Sequence, residues 1–159
     1  MSELGDAWAD GRVGVGGEHV ASHAVLRRLG TALEATGHGR DGHGQVLVGL
    51  PPGSRHELGA LAFAIAARRA DLPVTYLGPD LPVEDWLAAA QHAAAVVIGV
   101  VTGRDRPAAL RLLERLRDER PDVLVAVGGR AAPDVPGVLG LSADLGTAVA
   151  ELAAALPAS

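Results

Sequence analysis

With 159 residues, 48% of them hydrophobic, the chain has enough apolar material for one buried core and the size of one domain with at most a small appendage. A formal charge of −5 and an isoelectric point near 5.6 argue against a nucleic-acid-binding surface, because phosphate contacts need clustered cations. The absence of Cys removes disulfides, thiolate metal sites and a Cys nucleophile.

No signal-peptide pattern opens the chain and no apolar run is long enough to cross a bilayer, so a cytoplasmic location is expected. Ser2 to Asp10 reads as a short helix capped by Ser2. Gly11, Gly14, Gly16 and Gly17 then break the chain, and Glu18 to Ala35 reads as a second helix. Residues 37–44, with four Gly around His38 and His43, read as a flexible linker whose imidazoles are solvated. The expected organisation is a partial helical cap plus linker over 1–44, followed by an α/β domain over 45–159.

From residue 45 onward strand and helix signals alternate. Short, continuous apolar runs at 45–50, 73–77, 95–101 and 123–127, with a weak one near 138–141, read as strands covered on both faces. Helices are expected at 57–70, 83–92, 106–119 and 144–156. Such βαβ units predict a flavodoxin-like, doubly wound, five-stranded parallel sheet with a short N-terminal helical cap. An aromatic share of 3% makes this a core of Ala, Val and Leu, in which two Trp need a reason. The Arg pairs at 27–28 and 68–69 read as solvated helix faces. Arg111, Arg115, Arg117 and Arg120, interleaved with Glu114, Asp118 and Glu119, read as a salt-bridged one. Asp80, Glu84 and Asp85 read as a helix start, where negative charge complements the dipole.

In a parallel sheet the loops after the strands share one edge, which here gathers His56, Gly78, Thr102-Gly103 and Gly128-Gly129. Several chemistries drop out. The chain contains no Lys, hence no phosphate loop of the Walker kind, and Gly14 to Gly17 follow no strand. There is no Gly-x-Ser-x-Gly elbow and no evident carboxylate pair for acid–base work. What remains is Pro51-Pro52-Gly53-Ser54-Arg55-His56-Glu57-Leu58-Gly59, between the first strand and its helix. Read alone, a His at a helix start serves structure more often than ligation, and Gly128-Gly129 is an ordinary strand-to-helix turn. As a ligand, an imidazole there coordinates a transition metal through one ring nitrogen while a partner such as Ser54 holds the other.

Ser54-x-His56-x-x-Gly59 resembles the Asp-x-His-x-x-Gly motif of cobalamin-binding domains. The resemblance implies that His56 replaces the cofactor's own dimethylbenzimidazole as lower cobalt ligand and that the displaced nucleotide tail enters the sheet region. Arg55 belongs to the same ligand loop, Gly59 leaves space for the tail, and Gly128-Gly129 resembles the family's Gly-Gly beside the buried base. The family's Asp is Ser54 here, so its hydrogen bond to the imidazole is expected to be neutral. The family's Ser-x-Leu after the third strand is not found as such; Val101-Thr102-Gly103 stands there, with Thr102 as the hydroxyl for the base.

A second match lies in the N-terminal segment. Trp8, nine residues, then Glu18-His19 is similar to the Trp-x9-Glu-His pattern of light-sensing adenosylcobalamin repressors of the MerR type. That likeness implies that Trp8 covers the adenosyl group and that Glu18 and His19 line its pocket. Members that capture a second His after photolysis carry it directly after the Trp, where this chain has Ala9. No DNA-binding domain of that type is recognised, so the expected readout passes to a protein partner or to self-association rather than to DNA or a membrane. The expected function is a non-enzymatic cobalamin sensor or regulator binding adenosylcobalamin. The alternative is a corrinoid carrier subunit of a methyltransferase or mutase, for which methylcobalamin is the natural form. A receiver-like or flavodoxin-like interaction domain without corrin leaves His56 and Trp8 unexplained.

Overall fold

Short runs of Val, Leu, Ile and Ala become strands here because both of their faces are covered. Along β1 (Gln45–Gly49) Val46 and Val48 face one layer and Leu47 the other; along β3 (Ala93–Gly99) Ala95 and Val97 alternate with Val96 and Ile98 in the same way. The computed structural model describes residues 15–37 and 44–157, with side chains from residue 22 onward. The remaining elements are α1 (Val15–Ala35), α2 (Leu58–Arg69), β2 (Val74–Gly78), α3 (Val83–Ala89), α4 (Arg106–Glu119), β4 (Leu124–Gly128), β5 (Leu139–Gly140) and α5 (Leu145–Ala155).

The sheet runs β2-β1-β3-β4-β5 with every pairing parallel, the flavodoxin-like order expected from the alternation. One core layer joins the sheet to α1, α2 and α5 through Leu33, Phe63, Ile65, Val149 and Leu152. The other joins it to α3 and α4 through Trp86, Leu112, Leu113 and Leu116. Strand order reverses between β1 and β3, so their trailing loops flank the crevice where such sheets hold ligands. No helix among the described residues is long and apolar enough to cross a membrane.

Several expectations need correction. Gly16 and Gly17 lie inside α1, which begins at Val15. Each costs a helix about 1 kcal/mol against Ala, which a helix anchored by Leu26, Leu29, Ala32 and Leu33 against the core tolerates. The helix expected over 83–92 splits into α3 and a 3₁₀ turn at Ala90–His92, and β3 starts two residues early because pairing with β1 draws in Ala93 and Ala94. Arg68 is no solvated side chain. Its Nε donates to Val74 O at 2.8 Å and its Nη1 to Leu33 O at 2.8 Å, tying the end of α1 to β2 across α2. The expected ion pairs on α4 are in part present, with Arg115 bridging Glu119 and Glu84. The expected first helix and the linker imidazoles His38 and His43 lie outside the described residues.

Candidate functional site

The loop that carries His56 is built before any ligand arrives. β1 ends at Gly49, where an added Cβ would come within 3.0 Å of both Gly78 O and the Trp86 ring, so only Gly lets the strand pass. Trp86 is fully buried beneath this point and its Nε1–H donates to Leu50 O at 3.4 Å, a long bond that supplements packing. This is what one Trp is for. Gly53 turns the chain with φ 82°, and its N–H donates to Asp80 Oδ1 at 2.6 Å. Asp80 in turn donates its own N–H to Ser54 O at 2.8 Å from a left-handed backbone (φ 53°). Asp80 is therefore a staple between the β1 and β2 loops rather than the helix start expected of it; only Glu84 and Asp85 occupy the first turn of α3.

Arg55 and His56 stand exposed at the rim. Arg55 pairs with Asp80 at 3.5 Å with 82% of its side chain exposed, a solvent-screened contact that leaves the guanidinium free to turn elsewhere. The next residue, Glu57, accepts from the Tyr76 hydroxyl at 2.9 Å, which fixes the entry into α2. Burial, and then the Glu57 carboxylate, push the Tyr76 phenol well above its ordinary value.

Across the crevice the β3 loop contributes a group that the sequence reading did not single out. Asp105 precedes α4 in the capping position but caps nothing there. Its Oδ2 instead accepts from the Thr102 N–H at 2.9 Å and the Thr102 hydroxyl at 2.8 Å. Burial raises this carboxyl; the Thr102 hydroxyl and amide outweigh that, helped by the Ser54 hydroxyl and the charge of His56, and the net direction is below the ordinary carboxylate value. Ser54 is 1% exposed, and its Oγ forms no hydrogen bond of ordinary length and angle, alone in this among buried side-chain polar atoms of the described residues. The Ser54 hydroxyl and the charge of His56 thus both act on the Asp105 carboxyl, while no regular hydrogen bond joins Ser54 to it. A sequence signal for Asp105 existed in Thr-x-x-Asp ahead of a helix, but that pattern reads equally as a cap.

The glycines define a second feature. An apolar cavity of about 180 Å³ lies between α2, α5 and the sheet, lined by Gly59, Phe63, Val97, Gly128 and Leu141 among others. A Cβ at Gly59 would meet nothing within 4 Å, so this Gly answers to the open space rather than to a protein neighbour. Gly129 differs: with φ 106° and a notional Cβ only 2.4 Å from Val100 O, it is required by the backbone of the fold itself. Thr102 does not reach the cavity; Val101 lines it, and the Thr102 hydroxyl is engaged inside its own loop. Trp8 lies outside the described residues, and Glu18 and His19 sit on the first turns of α1, where only the backbone is described.

The sequence pattern of the B12 binding domain matches residues 44–155. Among curated proteins, the chain is 35% identical over 135 residues to the HTH-type transcriptional repressor CarH of Myxococcus xanthus. The match covers 83% of this chain and 44% of the repressor, so the chain spans less than half the length of that relative. Among solved structures, the monomethylamine corrinoid protein of Methanosarcina barkeri superposes with a TM-score of 0.72 at 16% identity, over 94% of this chain and 76% of that one. A cobalamin-binding protein from Desulfitobacterium hafniense gives 0.61 at 17% identity over 97% and 77%. The methanol:cobalamin methyltransferase complex MtaBC of Methanosarcina barkeri gives 0.64 at 20% identity over 95% and 61%. At these identities the structural likeness establishes the fold, with its five-stranded parallel sheet.

Proposed function

The chain belongs to the B12 binding domain family, and from that premise we propose that it is a cobalamin-binding regulatory module taking adenosylcobalamin with His56 as the lower ligand of cobalt. The observation that carries the reading is the pairing of one exposed imidazole at the β1 edge with an apolar cavity that opens one helical turn further on, at Gly59. Among the described residues no cluster of three or more His, Asp or Glu could hold a metal ion unaided. A solitary His is enough only for a metal that arrives already held in the plane of its own macrocycle. An apolar cavity of ~150 Å³ takes up a benzene ring, so one of about 180 Å³ between helix and sheet suits a ring group pushed in beside Gly59 and Gly128. The residues present fit the cofactor.

When bound, the corrin supplies a light- and redox-sensitive cobalt–carbon bond; the protein supplies ligation, shielding and readout. His56 offers the lone pair, Ser54 lies behind it, Arg55 stands at the rim, and Gly59 with Gly128-Gly129 leaves the route for the tail. Trp8, Glu18 and His19 are assigned to the upper face on the likeness of their sequence pattern alone. The 35% identity to a transcriptional repressor supports the sensor over the carrier, and the adenosyl form rests on the likeness of Trp8, Glu18 and His19 to the Trp-x9-Glu-His pattern. The readout is assigned to a protein partner or to a second copy, since a charge of −5 argues against a phosphate-binding surface. The carrier subunit of a methyltransferase or mutase remains the competing reading, since corrinoid proteins share the fold.

The test is an absorption spectrum of the protein loaded with adenosylcobalamin in the dark and then illuminated. We expect a histidine-ligated, base-off spectrum that changes with light, together with a change in oligomeric state or partner binding. His56→Ala should lose the histidine-ligated spectrum and bind on the order of 10-fold more weakly or worse, as when a metal loses a protein ligand or its support. A variant indistinguishable from the parent overturns the ligand. Preference for methylcobalamin with exchange of its methyl group, and no response to light, would replace the sensor by the carrier.

A further inference from the structure

We propose that Asp105 is the positioning carboxylate for His56, acting from the β3 loop through the Ser54 hydroxyl; this rests on His56 as the ligand and explains what Ser54 does in place of an acidic residue. Four observations lead there. Ser54 Oγ is buried without a regular hydrogen bond, a costly state for a hydroxyl unless a partner is close at hand. Asp105 occupies a capping position yet turns its carboxylate away from its own helix, back into the crevice. Thr102 holds Oδ2 with two donors, so the carboxylate is fixed in place and Oδ1 is left for another donor. Finally, β1 and β3 are neighbours in register at Gly49 and Ile98, which brings the two loops together at the sheet edge.

A serine hydroxyl is suited to stand between these groups because it donates one hydrogen bond while accepting others. In the proposed relay a ring N–H of His56 would donate to Ser54 Oγ, and the Ser54 O–H, which closes no regular hydrogen bond in the structure, would donate to Asp105. The other ring nitrogen keeps its lone pair for the metal. Carboxylate and hydroxyl polarise one another along such a chain, so the charge expected to be missing at position 54 is supplied from residue 105 instead. The direct partner of the imidazole is then still the neutral Ser54, with a carboxylate behind it at one remove. No bond is made or broken and no proton leaves the chain.

The test uses the whole chain and two readouts. In cofactor-free protein, the imidazole nitrogen resonances of His56 are recorded for the parent and for Asp105→Asn, which can still accept from Thr102; His23 and His92 serve as internal controls. In cobalamin-loaded protein, the fraction of histidine-ligated spectrum and the dissociation constant are measured. Asp105→Asn should shift the His56 resonances alone and weaken histidine ligation on the order of 10-fold. Restoring a carboxylate at the other place, Ser54→Asp in the Asp105→Asn background, should recover it, an outcome that a merely structural Asp105 would not give. Unchanged His56 resonances together with unchanged ligation in Asp105→Asn overturn the proposal, as does failure of the double variant to recover while it remains folded. If His56 resonances respond to residue 105 but the parent protein never shows histidine ligation, the coupling stands and the ligand assignment under "Proposed function" falls.

Discussion

Tyr76 shows how single residues hold the ligand loop in register. It is the only Tyr in the chain, half-buried on β2, and its hydroxyl donates to Glu57 immediately after His56. Burial first, then the Glu57 carboxylate, raise its pKa. A phenol whose folded pKa exceeds the unfolded value contributes stability that is complete below the unfolded pKa of about 10 and is lost as pH rises through the folded one. Ultraviolet absorbance of phenolate should therefore not develop near pH ~10 in folded protein; it should appear only with the unfolding transition. A reversible midpoint at the ordinary value in folded protein would contradict the buried pair. Tyr76→Phe should cost about 1 kcal/mol, the net worth of a solvent-reachable hydrogen bond, and should broaden the environment of His56 before it affects the rest of the fold. By contrast the Arg55–Asp80 pair, exposed and at 3.5 Å, should be nearly silent in stability.

At the scale of elements, Arg68 makes the most specific prediction. It ties the last turn of α1 to β2 through the carbonyls of Leu33, which also accepts from the Thr36 hydroxyl, and of Val74. Arg68→Ala should destabilise by about 1–3 kcal/mol and speed hydrogen exchange in the second half of α1, leaving α4 and β4 protected. Arg68→Lys should recover little, because a single ammonium cannot reproduce a fork that reaches two acceptors. Equal exchange in α1 of parent and Ala variant would refute the tie. The same elements show what the sequence made legible. Strands β1, β3 and β4 were readable as apolar runs, and α4 matched its expected 106–119 because a Pro near its start and alternating charges mark it locally. Alanine blurred the rest: Ala90, Ala93 and Ala94 fit helix, turn or strand, and only pairing with β1 decides. β5 is two residues long and exists because β4 offers an edge. In the site, His56 and Gly59 were visible because they lie in one continuous strand-to-helix junction. Asp80, Trp86 and Asp105 were not, because each acts on the β1 loop from elsewhere, at a separation of 27 residues for Asp80 and 36 for Trp86. Local pattern does not report such distances.

For the whole molecule, the question is how an event at the sheet edge reaches the outside. The α/β core is closed by its own contacts: Val100 N bonds Gly128 O at 2.8 Å and Ala131 N bonds Val100 O at 3.0 Å, while Arg106 bonds Ala131 O, so the β3 and β4 loops are set without a ligand. α1 is held differently, by one face against α2 and by Arg68. A ligand gripped by the core alone would stabilise the core alone; one that also touches the N-terminal segment would add α1 to the cooperative unit. Binding to the folded state adds RT ln(1 + [L]/Kd), about 2.7 kcal/mol at 100-fold excess over Kd, which for a domain of this size raises Tm by roughly 5–10 °C. At equal free concentration well above both Kd values, adenosylcobalamin in the dark should raise Tm more than hydroxocobalamin, and protection of α1 against hydrogen exchange should account for the difference. Trp8→Ala should erase that difference while leaving the shared increment, because in the proposed reading His56 and the cavity beside Gly59 serve both forms. Illumination should then act on the parent as the substitution does, lowering the Tm of the dark complex to that of the hydroxo form. Equal shifts for the two forms in the parent protein would mean that the N-terminal segment does not read the upper face, and that any signal leaves the molecule by another route.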